Sequence, residues 1–447
     1  MRRHIEFDLA PGYPVLHAAY NLATWLAQPL LRRKLARRAA AEPGYGAHVE
    51  ERFGRYEAAR PEGGGPLVWI HAVSLGETRA ASILVTALRE RLPDMRLLLT
   101  HGTATGRAEG AKLLRPGDVQ VWQPWDTRRA AGRFLDHFRP DAGVLMETEI
   151  WPNLILESAA RGLPLALANA RLSEKSLRAA KRGGGLMRPA YGALAAAWAQ
   201  TGDDAARLLA IGAKSVEVFG NLKFDAQPDQ ALMARGMAWR AASWRPVVML
   251  ASSREGEEAE FLRQIQKPDV AEGGRQAAGI QWLIVPRHPQ RFGEVAELIR
   301  ASGLSLSCRS TWGEGAPPPL ADIWLGDSLG EMAAYYALAD AALLGGSFEP
   351  LGGQNLIEAA ACGCPVLMGP HTFNFSEAAR LAESAGAARR VADLPEGISA
   401  ARALVHDAGA VAEMRQHALV FAAAHRGAAG RTADALAGLI GHTARYL

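Results

Sequence analysis

The chain has 447 residues, is 49% hydrophobic and 21% charged, and carries a formal net charge of +4. That length predicts two domains, and the apolar content excludes a disordered chain. Three cysteines, Cys308, Cys362 and Cys364, exclude a disulfide framework, and the one-residue gap in Cys362-Gly-Cys364 excludes a redox or zinc pair; a reducing compartment without structural zinc follows.

Charge is uneven along the chain. Residues 1–40 hold seven Lys and Arg against Glu6 and Asp8, so the rest of the chain is close to neutral. A local basic segment on a near-neutral body argues against a nucleic-acid partner. The same segment contains "LAPGYPVLHAAYNLATWLAQPLL", residues 9–31, with no charged residue, followed by "RRKLARR". That ending does not suit a cleaved signal peptide. Three readings stand: a membrane-spanning anchor, a helix lying in the interface, or a helix packed on the body. Basic residues after an apolar helix favour anionic lipid on the cytoplasmic side. Membrane contact through residues 1–40 is the expectation.

From about residue 64, apolar runs alternate with helical patterns: "PLVWIHAV", "MRLLLTHG", "VQVWQPW", "DAGVLMETE", "LPLALANA", "AAAWAQ" and "SVEVFG". After a joint between about residues 225 and 244 the rhythm restarts with "VVMLASS", "IQWLIVPRHP", "LSLSCRS", "ADIWLGDS", "AALLGGS" and "CPVLMGP". Continuous apolar strands separated by amphipathic helices predict parallel sheets covered on both faces. The expected architecture is α/β, with two Rossmann-like doubly wound domains at 41–225 and 226–447.

Ligands of such sheets bind at the carboxyl ends of the strands, and a cleft between two facing domains is expected. The first of these ends, "IHAVSLGETRAA", puts Glu77 directly after Gly76, where a buried strand hands over to a helix. A first-turn Glu can stabilise its own helix through the macrodipole; it can also be a base held ready for a hydroxyl proton. "METEIWPN" offers Glu147 and Glu149 at another strand end.

In the second half, "ASSREGEE" places Ser252 or Ser253 to cap a helix and touch an anion. "VPRHPQR" sets Arg287 and His288 just past a strand, where a guanidinium fork suits phosphate or carboxylate. "GDSLGEM" opens a helix, with Asp327 or Ser328 as cap and the N–H groups of Ser328, Leu329, Gly330 and Glu331 on offer. The strongest local signal is "GGSFEPLGGQNLIEAAACGCPVLMGP". A strand ends at Gly345 and Gly346, and Gly352 and Gly353 let a ligand approach the backbone. The helix opening near Asn355 favours a phosphate, and Glu358 can reach a ribose diol.

Taken in order, "HAVSLGE", "METEIWPN", "NARLSEKS", "GNLKFD", "ASSREGEE", "PRHPQR", "GDSLGEM" and "GGSFEPLGGQNLIEAAACGCPVLMGPHTFNF" make a chain that resembles the bacterial Kdo (3-deoxy-D-manno-octulosonic acid) transferases. The leading apolar helix before "RRKLARR" is similar to that family's membrane anchor. The resemblance implies a GT-B fold, with an acceptor-binding domain followed by a CMP-sugar-binding one. It implies transfer of Kdo from CMP-Kdo to a lipid A precursor (lipid IVA) in lipopolysaccharide core synthesis, inverting the anomeric carbon. Neither a cofactor nor a divalent metal is implied, and the setting is the cytoplasmic face of the inner membrane. By position, Glu77 becomes the proton acceptor. Pro286, Arg287, Ser328 to Glu331, and Asn355, Leu356, Ile357 and Glu358 become the CMP site. Ser253, Arg254, Gly346, Gly353, Arg171 and Lys223 are candidate donor contacts, the cations being candidates for the Kdo carboxylate. The alternatives are another GT-B nucleotide-sugar enzyme, a UDP-sugar transferase or epimerase, and a non-catalytic membrane-tethered GT-B scaffold.

Overall fold

The structure, a computed structural model, describes residues 13–267, 279–313 and 318–444. The chain divides into two compact units, Met1–Asp225 with Arg426–Leu447, and Ala226–His425.

In the first unit seven parallel strands form one sheet: β1 (Leu67–His71), β2 (Arg96–His101), β3 (Val119–Trp122), β4 (Ala142–Met146), β5 (Leu165–Ala170), β6 (Ala196–Ala199) and β7 (Val216–Val218). Their order is β3-β2-β1-β4-β5-β6-β7. The reversal at β1 puts the sheet's switch point between β1 and β4, which pair from Val68–Ala142 to His71–Leu145. The central strands are buried throughout, as unbroken apolar runs require when helices cover both faces. Trp69, Phe134 and Phe138 fill one side; Val68, Ile70, Leu84 and Leu88 fill the other.

Local chemistry sets where the helices begin. Ser74, Thr103, Thr127, Ser173 and Thr201 each cap the helix that follows a strand. The helix Pro152–Ala160 after β4 has no side-chain cap of its own. Buried Asp126, from the loop after β3, accepts the N–H groups of Asn153 and Leu154 instead, at 3.1 and 2.9 Å.

In the second unit seven more parallel strands follow: β8 (Val247–Ser253), β9 (Gln281–Pro286), β10 (Leu306–Cys308), β11 (Ile323–Leu325), β12 (Ala341–Leu344), β13 (Val366–Met368) and β14 (Ala388–Arg390). Their order is β10-β11-β9-β8-β12-β13-β14, with the switch point between β8 and β12.

Two expectations change. The last helix, Ala428–Ala444, was expected within the 226–447 domain. It packs instead on the first unit, where Ala428, Ala429, Ala433 and Leu436 join the core beneath the helix Leu75–Arg91. The Asp225 carboxylate draws it there by accepting the N–H groups of Gly427 and Ala429. The Arg431 guanidinium adds a bond to Phe219 O at 2.6 Å.

The apolar segment at residues 9–31 is not one long helix. Residues 9–12 lie outside the described part; the rest forms α1 (Tyr13–Leu26), and α2 (Gln28–Ala41) starts beyond Ala27 with Pro29 in its first turn. Fourteen residues give α1 about 21 Å, short of a ~30 Å hydrocarbon core. Among the described residues no helix is long and apolar enough to cross a membrane. One stripe of α1 docks on the first unit: Tyr13 is buried, His17 Nε2 lies 2.8 Å from Asn153 Oδ1, and Tyr20 donates to Asp126 at 2.7 Å. The opposite stripe, with Val15, Leu22, Trp25 and Leu26, is exposed.

Candidate active site

At the switch point of the first sheet, Ser74 caps the helix Leu75–Arg91, and Glu77 sits in its first turn. The pair forms a variant of the capping box, with the return bond made to the residue before the cap. Glu77 Oε2 accepts the N–H of Val73 at 2.8 Å, and Ser74 Oγ donates to Oε1 at 3.1 Å. The helix-stabilising reading of Glu77 is therefore met, and the same bonds fix the direction of its carboxylate. Burial, with the nearby charges of Glu147 and Glu149, outweighs these bonds and pushes its carboxyl up to about 7. That value suits a base at neutral pH.

Glu147 follows β4 with φ at 57°, a left-handed conformation that costs a non-glycine residue about 1 kcal/mol or more. Lys223 Nζ lies 3.2 Å from its Oε1. Asn169, near the end of β5, holds Lys223 there, since its Oδ1 accepts Leu222 N at 3.0 Å and so orients the turn Leu222–Asp225. Asn169 also has a positive φ, at 52°, and marks a register shift between β5 and β6. Glu149 accepts from Trp151 Nε1 at 2.8 Å; burial raises its pKa. Buried His71, pushed down to about 3 chiefly by burial, is neutral. Its Nδ1 faces Thr100 O, and its Nε2 lies 3.9 Å from Glu149 Oε2. The structure thus gathers Glu77, Glu147, Glu149 and Lys223 at one sheet edge. Arg171 has an exposed side chain, and only its backbone N–H touches Glu147.

The second sheet repeats the arrangement. At the end of β8, Ser252 has φ at 55°, and the β8–β9 register shifts between Ala251 and Ser253. Bulges of this kind re-aim side chains beside sites. Arg287, following Pro286, donates its N–H to Ser253 O and its Nε to Gln354 Oε1 at 3.1 Å. A Cβ on Gly346 would sit 3.4 Å from Arg254 Cγ and 3.2 Å from Gln354 Nε2, and its φ of +68° suits glycine. The structure therefore brings Arg254, Arg287, Gly346 and the loop through Gly353 together. Asn355 caps the short helix Leu356–Ala361, with Glu358 in its first turn. Leu356 and Ile357 bury their side chains, and the Ile357 N–H is taken by Asn355 Oδ1 at 3.2 Å.

Several expected contacts are corrected. Ser253 is buried and spends its hydroxyl on Glu258 at 2.7 Å, so it neither caps a helix nor reaches an anion; Gly256 occupies the cap of Glu257–Ile265. Asp327 accepts from Ser310 rather than capping Met332–Leu338, whose cap position is Glu331. The side chains of Ser328 and Glu331 bond to each other at 2.5 Å. Arg235 and Arg309 grip Glu331 Oε1 at 2.7 and 2.9 Å. What the segment can offer a ligand is backbone, with Gly330 at φ +82° and the Leu329 side chain exposed. Among the described residues no group of three or more His, Cys, Asp or Glu is placed to hold a metal ion.

The 3-deoxy-D-manno-octulosonic-acid transferase (kdotransferase) family matches at residues 47–226. The 3-deoxy-D-manno-octulosonic acid transferase of Bordetella pertussis is 46% identical over 428 residues, covering 94% of this chain and 99% of that one. The Haemophilus influenzae transferase of the same name is 30% identical, covering 81% and 84%. Among solved structures, a glycosyltransferase from Rickettsia africae matches with a TM-score of 0.54 at 12% identity, covering 85% of this chain and 99% of that one. That likeness shows the fold, two parallel-sheet α/β units of the GT-B kind.

Proposed function

The chain belongs to the 3-deoxy-D-manno-octulosonic acid transferase family and is a glycosyltransferase of lipopolysaccharide synthesis; on that premise we propose that it moves Kdo from CMP-Kdo to a lipid A precursor, lipid IVA, inverting the anomeric carbon, with Glu77 as the base. The observation that carries this reading is the Glu77 carboxylate, aimed by its own capping box and pushed up to about 7. A sugar hydroxyl is a weak nucleophile until a base within hydrogen-bond reach takes its proton. The acceptor hydroxyl gives its proton to Glu77, its oxygen bonds to the anomeric carbon, and the bond to the CMP phosphate breaks with its electron pair leaving on the phosphate.

The second unit supports the donor half of the reading. Arg287, Arg254 and the N-terminal end of the helix Leu356–Ala361 supply positive charge for the departing phosphate. Glu358 suits the ribose diol. Lys223, beside Glu147, and Arg254 remain candidates for the Kdo carboxylate; the exposed Arg171 is the weakest of the three.

The same proposal puts the protein on the cytoplasmic face of the inner membrane. In α1 the polar and aromatic stripe turns toward the protein and the apolar stripe turns out. Exposed Arg33, Lys34 and Arg37 follow in α2. An apolar face flanked by cations fits a helix lying in an anionic interface.

The test is transfer from freshly made CMP-Kdo to a tetraacylated lipid A precursor, wild type beside Glu77→Gln, with EDTA present. Product from the wild type and a deep loss in the variant, with CMP binding intact, is the expected result. Preference for a uridine nucleotide over CMP would overturn the donor assignment. Full activity in the variant would move the base to Glu147 or Glu149.

A further inference from the structure

Glu257, the first residue of the helix that Gly256 caps, touches both loops of the proposed donor site. Its side chain is 2% exposed, so its carboxylate must find partners inside the fold. They are backbone N–H groups: Gly346 N donates to Oε1 at 2.8 Å and to Oε2 at 2.9 Å, and Arg254 N donates to Oε2 at 2.9 Å. The N–H of Phe348 also favours its charged form. One carboxylate thus ties the turn after β8, which carries Arg254, to the Gly-rich loop after β12.

The neighbouring carboxylate is used differently. Glu258 is held by the Arg291 guanidinium, with bonds of 2.7 and 3.2 Å, and by Ser253 Oγ. Its charge is neutralised by a cation, and it ties the end of β8 to the segment after β9. Glu257 is bonded only to main-chain groups, and those groups belong to the two segments that carry Arg254 and Gly346. Beyond Gly346 the loop closes on itself, Gly353 N donating to Gly346 O at 2.8 Å. Asn374 then holds the loop's far side through Leu351 O and Gly352 O. Fixing Gly346 therefore fixes the starting point of the whole loop as far as Gln354, the partner of Arg287.

We propose that Glu257 is the positioning residue of the donor site, setting the Gly-rich loop and Arg254 in the geometry that receives the anionic nucleotide-sugar. This rests on the reading of the second unit as the CMP-Kdo site. A lining carboxylate would repel an anionic donor; Glu257 avoids this by turning its oxygens inward onto N–H groups, which leaves the outward side of both loops to cations and backbone. Burial and the adjacent Glu258 push its carboxyl up to about 7, as expected of an acid held without a cation.

The experiment uses the full chain and compares wild type, Glu257→Ala and Glu257→Gln for CMP binding by calorimetry and for kcat and KM toward donor and acceptor separately. Loss of the carboxylate leaves its N–H partners without an acceptor, so Glu257→Ala should raise the CMP Kd and the donor KM about tenfold or more. The acceptor KM should stay unchanged. Glu257→Gln keeps one acceptor oxygen but sets an NH2 against an N–H, so it should recover only part of the loss. If Glu257→Ala does not fold, Glu257→Asp carries the test, since it keeps the charge but shortens the reach by one methylene; a raised donor KM supports the proposal and a wild-type donor KM overturns it. A folded Glu257→Ala with wild-type CMP affinity and donor KM also overturns it. A wild type that does not bind CMP at all would instead remove the reading of the site on which the proposal rests.

Discussion

Lys223 Nζ lies 3.2 Å from Glu147 Oε1, one of three carboxylates gathered past the carboxyl ends of the first sheet's central strands. Burial raises the pKa of Glu77, and the charges of the other two, Glu147 and Glu149, add to it. Lys223 partly cancels Glu147, so the pair should tune the base as well as organise the site. Lys223→Met should move the acid limb of kcat/KM toward higher pH, and Glu147→Gln should move it lower. Each shift should be about half a unit to one unit, the range expected for one neighbouring charge at a partly buried site. A pH series from 5.5 to 9 checks this. An unmoved limb in both variants would disconnect the pair from Glu77.

Glu77 itself gives two pH dependences of opposite sign. A base works only when unprotonated, so kcat/KM should rise through pH 7 and level off above it. Stability runs the other way. A folded-state pKa above the ordinary carboxyl value means that the folded protein holds the proton more tightly. The contribution is then fully present below about pH 4.5 and is lost as pH rises through about 7. Glu77→Gln should cut kcat by about 10²–10⁴-fold. Its melting temperature should gain on the wild type between pH 5 and pH 8. A melting difference that does not vary with pH would argue that the wild-type carboxylate is not strained by burial.

The sheets were legible because their strands are unbroken apolar runs, and their period and length leave little else for them to be. The strand β14, Ala388–Arg390, was not: "ARR" has no apolar signature and pairs with Val366–Met368 through its backbone. The strand ends were also legible, since Gly, Ser and charged residues collect there. Which way each side chain turns was not. Ser253 looks like an anion contact in sequence, but the bulge at Ser252 points it inward to Glu258. A one-residue shift reverses the facing of a strand, and no local pattern announces it. Asn169, Glu257 and Arg291 act on groups tens of residues away, so their roles appear only once the sheet is assembled. Asn169 alone left a trace, as an asparagine is among the few residues that tolerate left-handed backbone at a strand end. The return of the last helix hangs on Asp225 meeting Gly427 and Ala429, a contact that spans half the chain.

Arg291 and Glu258 form a bidentate pair in which Glu258 is fully buried and Arg291 nearly so. Breaking such a pair from the cation side strands a buried charge. Arg291→Met should therefore destabilise the protein by about 3–5 kcal/mol. The double replacement Arg291→Met with Glu258→Leu should cost markedly less, because no charge is left unpaired. Denaturant titration of both variants decides it; equal losses would mean that the cost lies in packing and not in charge.

The apolar stripe of α1 yields the last prediction. Val15, Leu22, Trp25 and Leu26 each expose more than half their surface, and Leu30 at the start of α2 extends the patch. Water-facing leucine and tryptophan are unfavourable by roughly 1.5–3 kcal/mol each relative to burial, so the patch has a strong reason to be covered. On the inward stripe, His17 and Tyr20 hold the helix to Asn153 and Asp126, which fixes the orientation of the outward one. The basic residues of α2 should add about 1 kcal/mol each at an anionic surface. Sedimentation with vesicles containing anionic lipid should bring the protein down at low salt and release it progressively as salt rises. Trp25→Ser with Leu26→Ser should weaken binding at every salt concentration. Replacing Arg33, Lys34 and Arg37 by Gln should weaken it about 100-fold at low salt and flatten the salt dependence. Tyr20→Phe should leave the apolar patch in place while loosening its mount on Asp126, lowering transfer to lipid acceptor more than vesicle binding. If vesicles fail to retain the wild type at low salt, the outward stripe must be covered by something other than a membrane.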